Sequence, residues 1–143
     1  MEVLFVCTGN TCRSPMAEVI FNETYLLANA NSRGLFIHRG STLSPEAKEI
    51  LQREYAYNEN REAEELMDSD VAKADFIITM TESQKSEIKR RYGGDKVYTL
   101  KELAGETGDV RDPYGMSEEV YLETFREIRR LIQNIPDFEN FRR

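Results

Sequence analysis

The chain has 143 residues, which fits one compact domain, so we predict a single domain spanning residues 1–143. Its 19 basic and 26 acidic residues give a formal charge of −7, which argues against general affinity for nucleic acid or an anionic membrane. Two cysteines and a single histidine are too few for a disulfide framework, a four-ligand zinc site or a Ser-His-Asp triad.

The first predicted elements are a strand, a loop and a helix. Residues 2–6 are apolar, as in a buried strand, and turn-forming residues follow directly after Cys7. Ser14 is a good N-cap and Pro15 a good first helical residue, so we predict a helix that starts there. Its predicted apolar face consists of Ala17, Ile20, Phe21, Thr24 and Leu27.

The middle of the chain contains a second strand, a second helix and an acidic segment. We predict the strand over residues 35–39, and a helix opened by Ser44 and Pro45. Between residues 58 and 70 the composition is polar and acidic, with Glu62, Glu64 and Glu65. This composition is typical of a solvated helix and not of a binding site.

The last third of the chain completes the alternation of strands and helices. We predict a third strand over residues 76–79, a helix over residues 82–92 and a fourth strand over residues 96–100. From Ser117 to about Pro136, apolar residues recur on one face of a long terminal helix. The alternation predicts an α/β fold, a single three-layer domain with a four-stranded parallel sheet flanked by helices on both faces.

The loop Cys-Thr-Gly-Asn-Thr-Cys-Arg-Ser, residues 7–14, lies where open α/β folds bind ligands, at the carboxyl end of the first strand. A loop that curls into a helix N-terminus points backbone N–H groups at one centre, which suits phosphate. There Cys7 would be a thiolate nucleophile, Arg13 a bidentate phosphate ligand and Gly9 a residue with positive φ. The predicted phosphate-binding residues are Thr8, Gly9, Asn10, Thr11, Cys12, Arg13 and Ser14.

This loop resembles the N-terminal signature of the low-molecular-weight protein tyrosine phosphatases. The signature is matched by Cys7, Gly9, Asn10, Cys12, Arg13, Ser14 and Pro15. The resemblance resumes at residues 74–81 and 109–115, so that it spans nearly the whole chain. It implies a phosphate-binding loop after the first strand and catalysis through a phosphocysteine intermediate on Cys7.

The resemblance also implies a catalytic acid. In the family, the aspartate of an Asp-Pro pair protonates the leaving group and then activates water, and Asp112-Pro113 matches that pair. Tyr114 would line the entrance and stack on the substrate, and Asp109 is a weaker second carboxylate. Taken alone, Asp-Pro-Tyr-Gly is an ordinary turn.

Thr11 bears on the choice of substrate, and Cys12 bears on redox regulation. Tyrosine phosphatases of the family usually carry an aliphatic residue at the position of Thr11, whereas threonine resembles the protein arginine phosphatase branch. We therefore predict phosphoarginine as the substrate, with Thr11 and Tyr114 as specificity residues. The family role of Cys12 implies a reversible disulfide with oxidised Cys7.

Two positions depart from the family pattern. The family usually has a Ser-Ala-Gly segment in the second strand, whose serine supports the phosphate-binding loop, and we predict that Ser41 takes the place of that serine. A supporting histidine of the family falls at Arg61 in this chain. We assign no catalytic role to His38.

Four alternatives remain beside the arginine phosphatase. A tyrosine phosphatase of the same family is the first, and a thioredoxin-coupled arsenate reductase, which would need further cysteines, is the second. A non-catalytic phosphate- or phosphopeptide-binding module is the third, although Cys7 and Asp112 are both retained. A Cys-x4-Cys metal site lacks two ligands.

We expect phosphorylated proteins as substrates, and neither a metal nor an organic cofactor. We expect no nucleic-acid partner and no membrane partner, and a monomeric state. No apolar run is long enough to span a bilayer, and the short apolar start differs from a signal peptide, so we expect a cytoplasmic location.

Overall fold

A computed structural model describes residues 1–136 and places four parallel strands at the centre of the chain. The strands are β1 (Glu2–Cys7), β2 (Asn29–Gly34), β3 (Phe76–Thr79) and β4 (Val97–Thr99). Their order in the sheet is β2-β1-β3-β4. Cys7, the last residue of β1, pairs with Gly34, the last residue of β2, so both lie at the carboxyl edge of the sheet.

Helices cover both faces of this sheet. They are α1 (Arg13–Thr24), α2 (Pro45–Tyr55), α3 (Asp68–Lys73), α4 (Glu82–Tyr92), α5 (Leu100–Leu103) and α6 (Glu118–Gln133). Val3 and Phe5 of β1 pack into one core with α1, α2 and α6, whereas Leu4 and Val6 face a second core that includes Ile88 of α4. The alternation follows from the two-residue period of a strand. The predicted three-layer α/β domain with a parallel four-stranded sheet is confirmed.

The helices with strong local signals form as predicted. Ser44 accepts a hydrogen bond from the amide of Ala47 and caps α2, and Ser117 caps α6 in the same way. Helix α4 covers its predicted residues, begins with a reciprocal capping box between Thr81 and Gln84, and is followed by Gly93. The predicted apolar face of the terminal helix is buried at Tyr121, Phe125, Ile128, Ile132 and Ile135.

The predicted start of the first helix and the last residue of its predicted apolar face were wrong. The helix begins at Arg13, and its N-cap is Cys12, which makes no capping side-chain bond. Ser14 therefore lies within the first turn, where its hydroxyl contacts Cys7 and Asn10 and does not cap the helix. The helix ends at Thr24, so the predicted apolar face stops short of Leu27, which is 98% exposed.

The second strand was also predicted in the wrong place. It covers Asn29–Gly34, a polar sequence, and residues 35–39 form bends and a turn after it. The strand forms because it pairs along its whole length with β1 at one edge of the sheet. Its polar side chains are satisfied by tertiary contacts, as when Ser32 donates to Glu18. Such contacts override a weak local strand propensity.

The acidic segment between residues 58 and 70 does not form the predicted helix around Glu62, Glu64 and Glu65. It runs extended, with an antiparallel bridge between Thr42 and Glu62 and a parallel bridge between Gly34 and Glu65. Helix α3 begins only at Asp68. Neither α3 nor the short helix α5 was predicted from the sequence.

The structure describes the chain up to residue 136. The predicted domain end at residue 143 lies outside the described residues. Within residues 1–136, no helix has the length and apolar composition needed to cross a membrane.

Candidate active site

A pocket of about 740 Å³ opens at the carboxyl edge of the sheet, around the loop that follows β1. The loop forms the floor, and residues 36–46 and the turn at Asp112 to Gly115 form the walls. The predicted site residues on its surface are Cys7, Thr8, Gly9, Asn10, Thr11, Cys12, Arg13, Asp112 and Tyr114. The fold thus brings the two motifs together although about 100 residues separate Cys12 from Asp112.

Cys7 lies at the bottom of this pocket. It is the last residue of β1 and only 2% exposed, and it pairs with Gly34 at the end of β2. Its Sγ atom is 2.9 Å from the hydroxyl oxygen of Ser14. A hydroxyl at this distance can donate to a thiolate, which is the nucleophilic form of cysteine.

Arg13 is buried, and most of its guanidinium group is held in place. Nη1 donates to the carbonyl oxygen of Val110 at 3.1 Å, and Nη2 lies 3.5 Å from a carboxylate oxygen of Asp112. Nε is buried and has no hydrogen-bond partner within residues 1–136. Because a buried N–H group normally has a partner, this atom indicates a position for an acceptor from a bound ligand.

Asn10, and not Gly9, provides the left-handed backbone conformation of the loop, with φ of 58°. Asparagine tolerates this region better than other side chains, and here it is also anchored. Its Oδ1 accepts from the backbone N–H of Glu64, and its Nδ2 donates to Ser14 and Ser32. The prediction that Gly9 supplies the positive φ was therefore wrong.

Gly34 lets the strand and the loop approach each other closely. A Cβ atom at Gly34 would lie 2.9 Å from the carbonyl oxygen of Thr8 and 3.1 Å from Cβ of Asn10. The first distance is shorter than real Cβ atoms make to a backbone oxygen and the second is unusually tight, so glycine is favoured at the end of β2. The loop therefore rests directly on β2.

The two threonines of the loop have different surroundings. The hydroxyl of Thr8 accepts from the side-chain amide of Gln84 in α4 at 3.1 Å. The backbone carbonyl of Thr11 accepts from the amide of Ser44 at 2.9 Å, which joins the loop to the start of α2. Among the described residues the hydroxyl of Thr11 has no hydrogen-bond partner, and it lies at the pocket surface.

Asp112 stands on the opposite wall of the pocket. Its side chain is 52% exposed, and its Oδ1 accepts from the backbone N–H of Tyr114 at 3.1 Å. Tyr114 is 71% exposed at the pocket mouth. Asp109 has a different task, because its Oδ1 accepts from the N–H of Glu82 at the start of α4. Only Asp112 of the two aspartates reaches the pocket.

The surroundings of Cys12 favour its thiol form. Burial raises the pKa of Cys12 to about 12, and the charges of Cys7 and Asp112 act in the same direction. Cys12 is therefore a thiol at neutral pH, and its Sγ lies 3.9 Å from Oδ1 of Asp112. Both cysteines are buried and free of disulfides.

The residues that support the loop were mostly missed by the sequence analysis. Within residues 1–136 the hydroxyl of Ser41 bonds only to the carbonyl of His38, so it is not the supporting serine. Ser32 has that position, because it bonds to Asn10 of the loop. The signal was present: Ser32 precedes the closing glycine of β2 by two residues, as in the Ser-Ala-Gly segment of the family. The misplaced strand concealed it.

Arg61 and Glu18 complete the support. Arg61 donates to the hydroxyl of Ser32 at 3.0 Å and to Glu18 at 2.7 Å. Arg61, which falls at the position of a supporting histidine of the family, contacts the supporting serine. Among residues 1–136, no cluster of three or more His, Cys, Asp or Glu side chains could hold a metal ion.

Comparison with known proteins identifies the family. The family described as low molecular weight phosphotyrosine protein phosphatase matches residues 2–138. The chain is 41% identical over 133 residues to the low molecular weight protein-tyrosine-phosphatase PtpB of Staphylococcus haemolyticus, which covers 92% of this chain and 95% of that protein. It is 40% identical over 145 residues to the protein-arginine-phosphatase of Bacillus subtilis, which covers 94% of each chain.

A solved structure agrees with these relatives. The structure of a mutant YwlE arginine phosphatase with a phosphorylated active-site serine has a TM-score of 0.88 and 36% identity to this chain. The match covers 94% of this chain and 92% of the other. The chain therefore belongs to the low molecular weight phosphotyrosine protein phosphatase family and is a cysteine-dependent protein phosphatase.

Proposed function

We propose that this phosphatase hydrolyses phosphoarginine in proteins, with Cys7 as nucleophile, Arg13 as phosphate ligand and Asp112 as general acid. The observation that carries the phosphate site is the buried Nε of Arg13, which lacks a partner within residues 1–136. A phosphate oxygen in the loop would accept from Nε, and a second oxygen from Nη2, in the bidentate geometry of arginine. Binding would thereby remove the cost of an unsatisfied buried donor.

The first chemical step transfers the phosphoryl group to cysteine. The Cys7 thiolate attacks phosphorus and forms a P–S bond, while the P–N bond breaks and its electron pair goes to the guanidine nitrogen. Asp112 donates a proton to that nitrogen, so arginine leaves with an N–H bond in place of the P–N bond. Arg13 neutralises the charge that develops on the phosphate oxygens.

The second step hydrolyses the phosphocysteine. Asp112, now a carboxylate, takes a proton from water, and the water oxygen attacks phosphorus. The P–S bond breaks, and its electron pair returns to Sγ of Cys7 as the thiolate. The hydroxyl of Ser14, 2.9 Å from Sγ, donates to this leaving thiolate.

Two features of the pocket support phosphoarginine over phosphotyrosine. The hydroxyl of Thr11 is free of other partners among the described residues and can bond to a guanidinium nitrogen or to phosphate. The carboxylates of Asp112 and Glu46 both line the pocket, and they suit a cationic group better than a neutral phenyl ring. The relatives carry both names, since one is a protein-arginine-phosphatase and another a protein-tyrosine-phosphatase.

The test compares phosphate release from phosphoarginine and phosphotyrosine peptides, without added metal, for the wild type, Cys7→Ser and Thr11→Val. We expect wild-type preference for phosphoarginine and no turnover of either substrate by Cys7→Ser. Thr11→Val should lower kcat/KM on phosphoarginine about tenfold, because it removes one hydrogen bond, and should leave phosphotyrosine hydrolysis unchanged or faster. The matched control is Thr107→Val, an exposed threonine outside the pocket.

The other outcomes select the alternatives. Equal or faster wild-type turnover of phosphotyrosine would assign the chain to the tyrosine phosphatases. If freshly reduced protein binds phosphopeptides and turns over neither substrate, the chain is a binding module.

A further inference from the structure

A second groove lies beside the active-site pocket, between the first turns of α2 and α6. Its volume is about 320 Å³, and four carboxylates line it, those of Glu46, Glu49, Glu118 and Glu119. Glu46 also lines the active-site pocket, so the two depressions meet at this residue. We call the second depression the α2–α6 groove.

The α2–α6 groove has an apolar floor. Ile50 is only 5% exposed and belongs to the core between the sheet and helices α1, α2 and α6, and Leu122 is partly buried against the same core. Lysine and arginine lay their methylene stems along apolar surface and keep the charged group at its edge. An apolar floor with carboxylates around it therefore fits a long cationic side chain.

The carboxylates of the groove are in excess over its cations. Arg53 lines the groove, and it lies 4.0 Å from Glu49 and 3.9 Å from Glu54. Within the part of the chain that the structure describes, Glu46, Glu118 and Glu119 form no ion pair. The groove thus carries negative charge that the protein itself leaves largely uncompensated.

The position of this charge beside the pocket is fixed by the fold. The amide of Ser44 donates to the carbonyl of Thr11 at 2.9 Å, and Ser44 caps α2, with Glu46 in its first turn. Glu118 and Glu119 occupy the first turn of α6. The helix dipole favours a glutamate in each first turn. Because these two turns border one groove, their charges are concentrated next to the active-site loop.

This negative charge adjoins a site for an anion. Carboxylates near the pocket repel a phosphate group that approaches Cys7 and Arg13. A substrate with a lysine or arginine close to its phosphorylated residue replaces part of this repulsion by attraction, because the cation lies among the carboxylates. A substrate with acidic neighbours is repelled more strongly, which adds to the discrimination.

We propose that the α2–α6 groove binds a lysine or arginine side chain of the substrate protein close to the phosphorylated residue, so that the enzyme prefers basic sites. The proposal rests on the proposed function for the identity of that residue, phosphoarginine. A polypeptide held in the pocket leaves over its rim, and Glu46 is the part of the rim that the groove shares. A metal ion fits the groove less well, because no three carboxylates among residues 1–136 are grouped to hold one.

The test compares phosphoarginine peptides that differ at a single neighbouring position. The position is scanned from three residues before the phosphoarginine to three residues after it, and it carries lysine, alanine or glutamate. We expect kcat/KM to decrease in that order, with about three- to tenfold between lysine and alanine at the best position, the range for one or two partly exposed ion pairs. Sodium chloride at about 0.5 M should bring the ratio close to one, because salt screens exposed charges.

Variants of the groove locate the effect. A double variant with Glu118→Gln and Glu119→Gln removes two carboxylates that do not line the active-site pocket, so its lysine-to-alanine ratio should fall below about twofold. The matched control is Glu123→Gln, at an exposed position of α6 outside the groove, which should keep the wild-type ratio. Each ratio is taken within one protein, so a general loss of stability or turnover cancels.

The outcomes distinguish this inference from the proposed function. Equal kcat/KM for lysine and alanine peptides at every position would overturn the inference, and so would a lysine preference that the double variant retains.

The same peptides with phosphotyrosine test the function separately. A lysine preference found with phosphotyrosine peptides alone would overturn phosphoarginine hydrolysis and leave the groove assignment in place. Hydrolysis of phosphoarginine without any preference for its neighbours would do the reverse. The affinity of the peptides for Cys7→Ser, measured without turnover, gives the lysine-to-alanine ratio a second readout.

Discussion

The floor of the active site and the wall at Asp112 are built in opposite ways. The floor, around Cys7 and Arg13, is buried and tied by hydrogen bonds to β2, α4 and the extended segment at Glu64. The wall around Asp112 and Tyr114 is exposed and is held mainly by its own turn. The floor is a fixed cradle, and the wall presents the proposed acid to it.

The difference follows from the chemistry that we propose for the floor and for the wall at Asp112. A thiolate and a phosphate need several donors in fixed positions, and burial strengthens each of these contacts. A general acid needs only one oxygen, but it must reach first the leaving group and then water. Substitutions in the cradle should therefore disturb binding, turnover and stability together, whereas substitutions of the acid should disturb turnover alone.

Arg13→Lys should have the largest effect. Lysine carries its three donors on one nitrogen, so it cannot reproduce the planar fork that bonds to the carbonyl of Val110 and faces two phosphate oxygens. We expect kcat/KM to fall by about 10³-fold, inorganic phosphate to inhibit more weakly, and the melting temperature to fall. The control Arg126→Lys, at an exposed position on α6, should behave as the wild type. A loss below tenfold would mean that the buried fork is not the phosphate ligand.

Asp112→Asn should have the second largest effect on turnover, and unlike Arg13→Lys it should leave stability almost unchanged. Loss of the general acid should lower kcat by about 10²- to 10³-fold. Because the side chain is half exposed, the free energy of unfolding should change by less than about 0.5 kcal/mol. Phosphate should inhibit the variant at least as well as the wild type, since an anion 3.5 Å from Arg13 has been removed.

Asp109→Asn is the matched control for this acid. It weakens the contact with the start of α4 and should lower stability slightly, with kcat within about twofold of the wild type. Equal loss of turnover in both variants would contradict the assignment of Asp112 as the acid.

Cys12→Ser should have the smallest effect on turnover. Burial raises the pKa of Cys12 to about 12, so below pH 10 it is a thiol and makes no contribution as a nucleophile. We expect kcat within about fivefold of the wild type. We also expect peroxide to inactivate the wild type reversibly through a Cys7–Cys12 disulfide, and the variant irreversibly, because no second thiol can trap the oxidised Cys7.

Activity after treatment with peroxide and then dithiothreitol measures this difference, and mass spectrometry identifies the disulfide. Oxidised wild-type protein without an internal disulfide would contradict the redox role of Cys12.

Elements with local determinants were predicted well. Helices α2, α4 and α6 carry their own caps at Ser44, Thr81 and Ser117, and β3 is a short apolar run. The motif at Cys7 to Ser14 is equally local, and so is the turn at Asp112. For these parts the information lies within a few residues of the chain.

Elements that depend on distant partners were predicted poorly. Strand β2 is polar, and it forms because its backbone pairs with the backbone of β1. The segment at Glu62 to Glu65 has the composition of a solvated helix, yet its backbone bridges to Thr42 and Gly34. Local propensity has no information about such partners, and tertiary pairing overrides it.

The amino-acid sequence by itself determined the fold class, the loop that we propose binds phosphate, and the spacing of a cysteine and an arginine six residues later. Only the tertiary structure decided what supports that loop. The support comes from Glu18, Ser32, Arg61 and the backbone of Glu64, which lie up to 54 residues from Asn10. A backbone N–H donor is present at almost every residue, and the sequence does not distinguish a supporting serine from other serines in a polar segment. Their roles arise only when the folded chain brings them within hydrogen-bond distance of the loop.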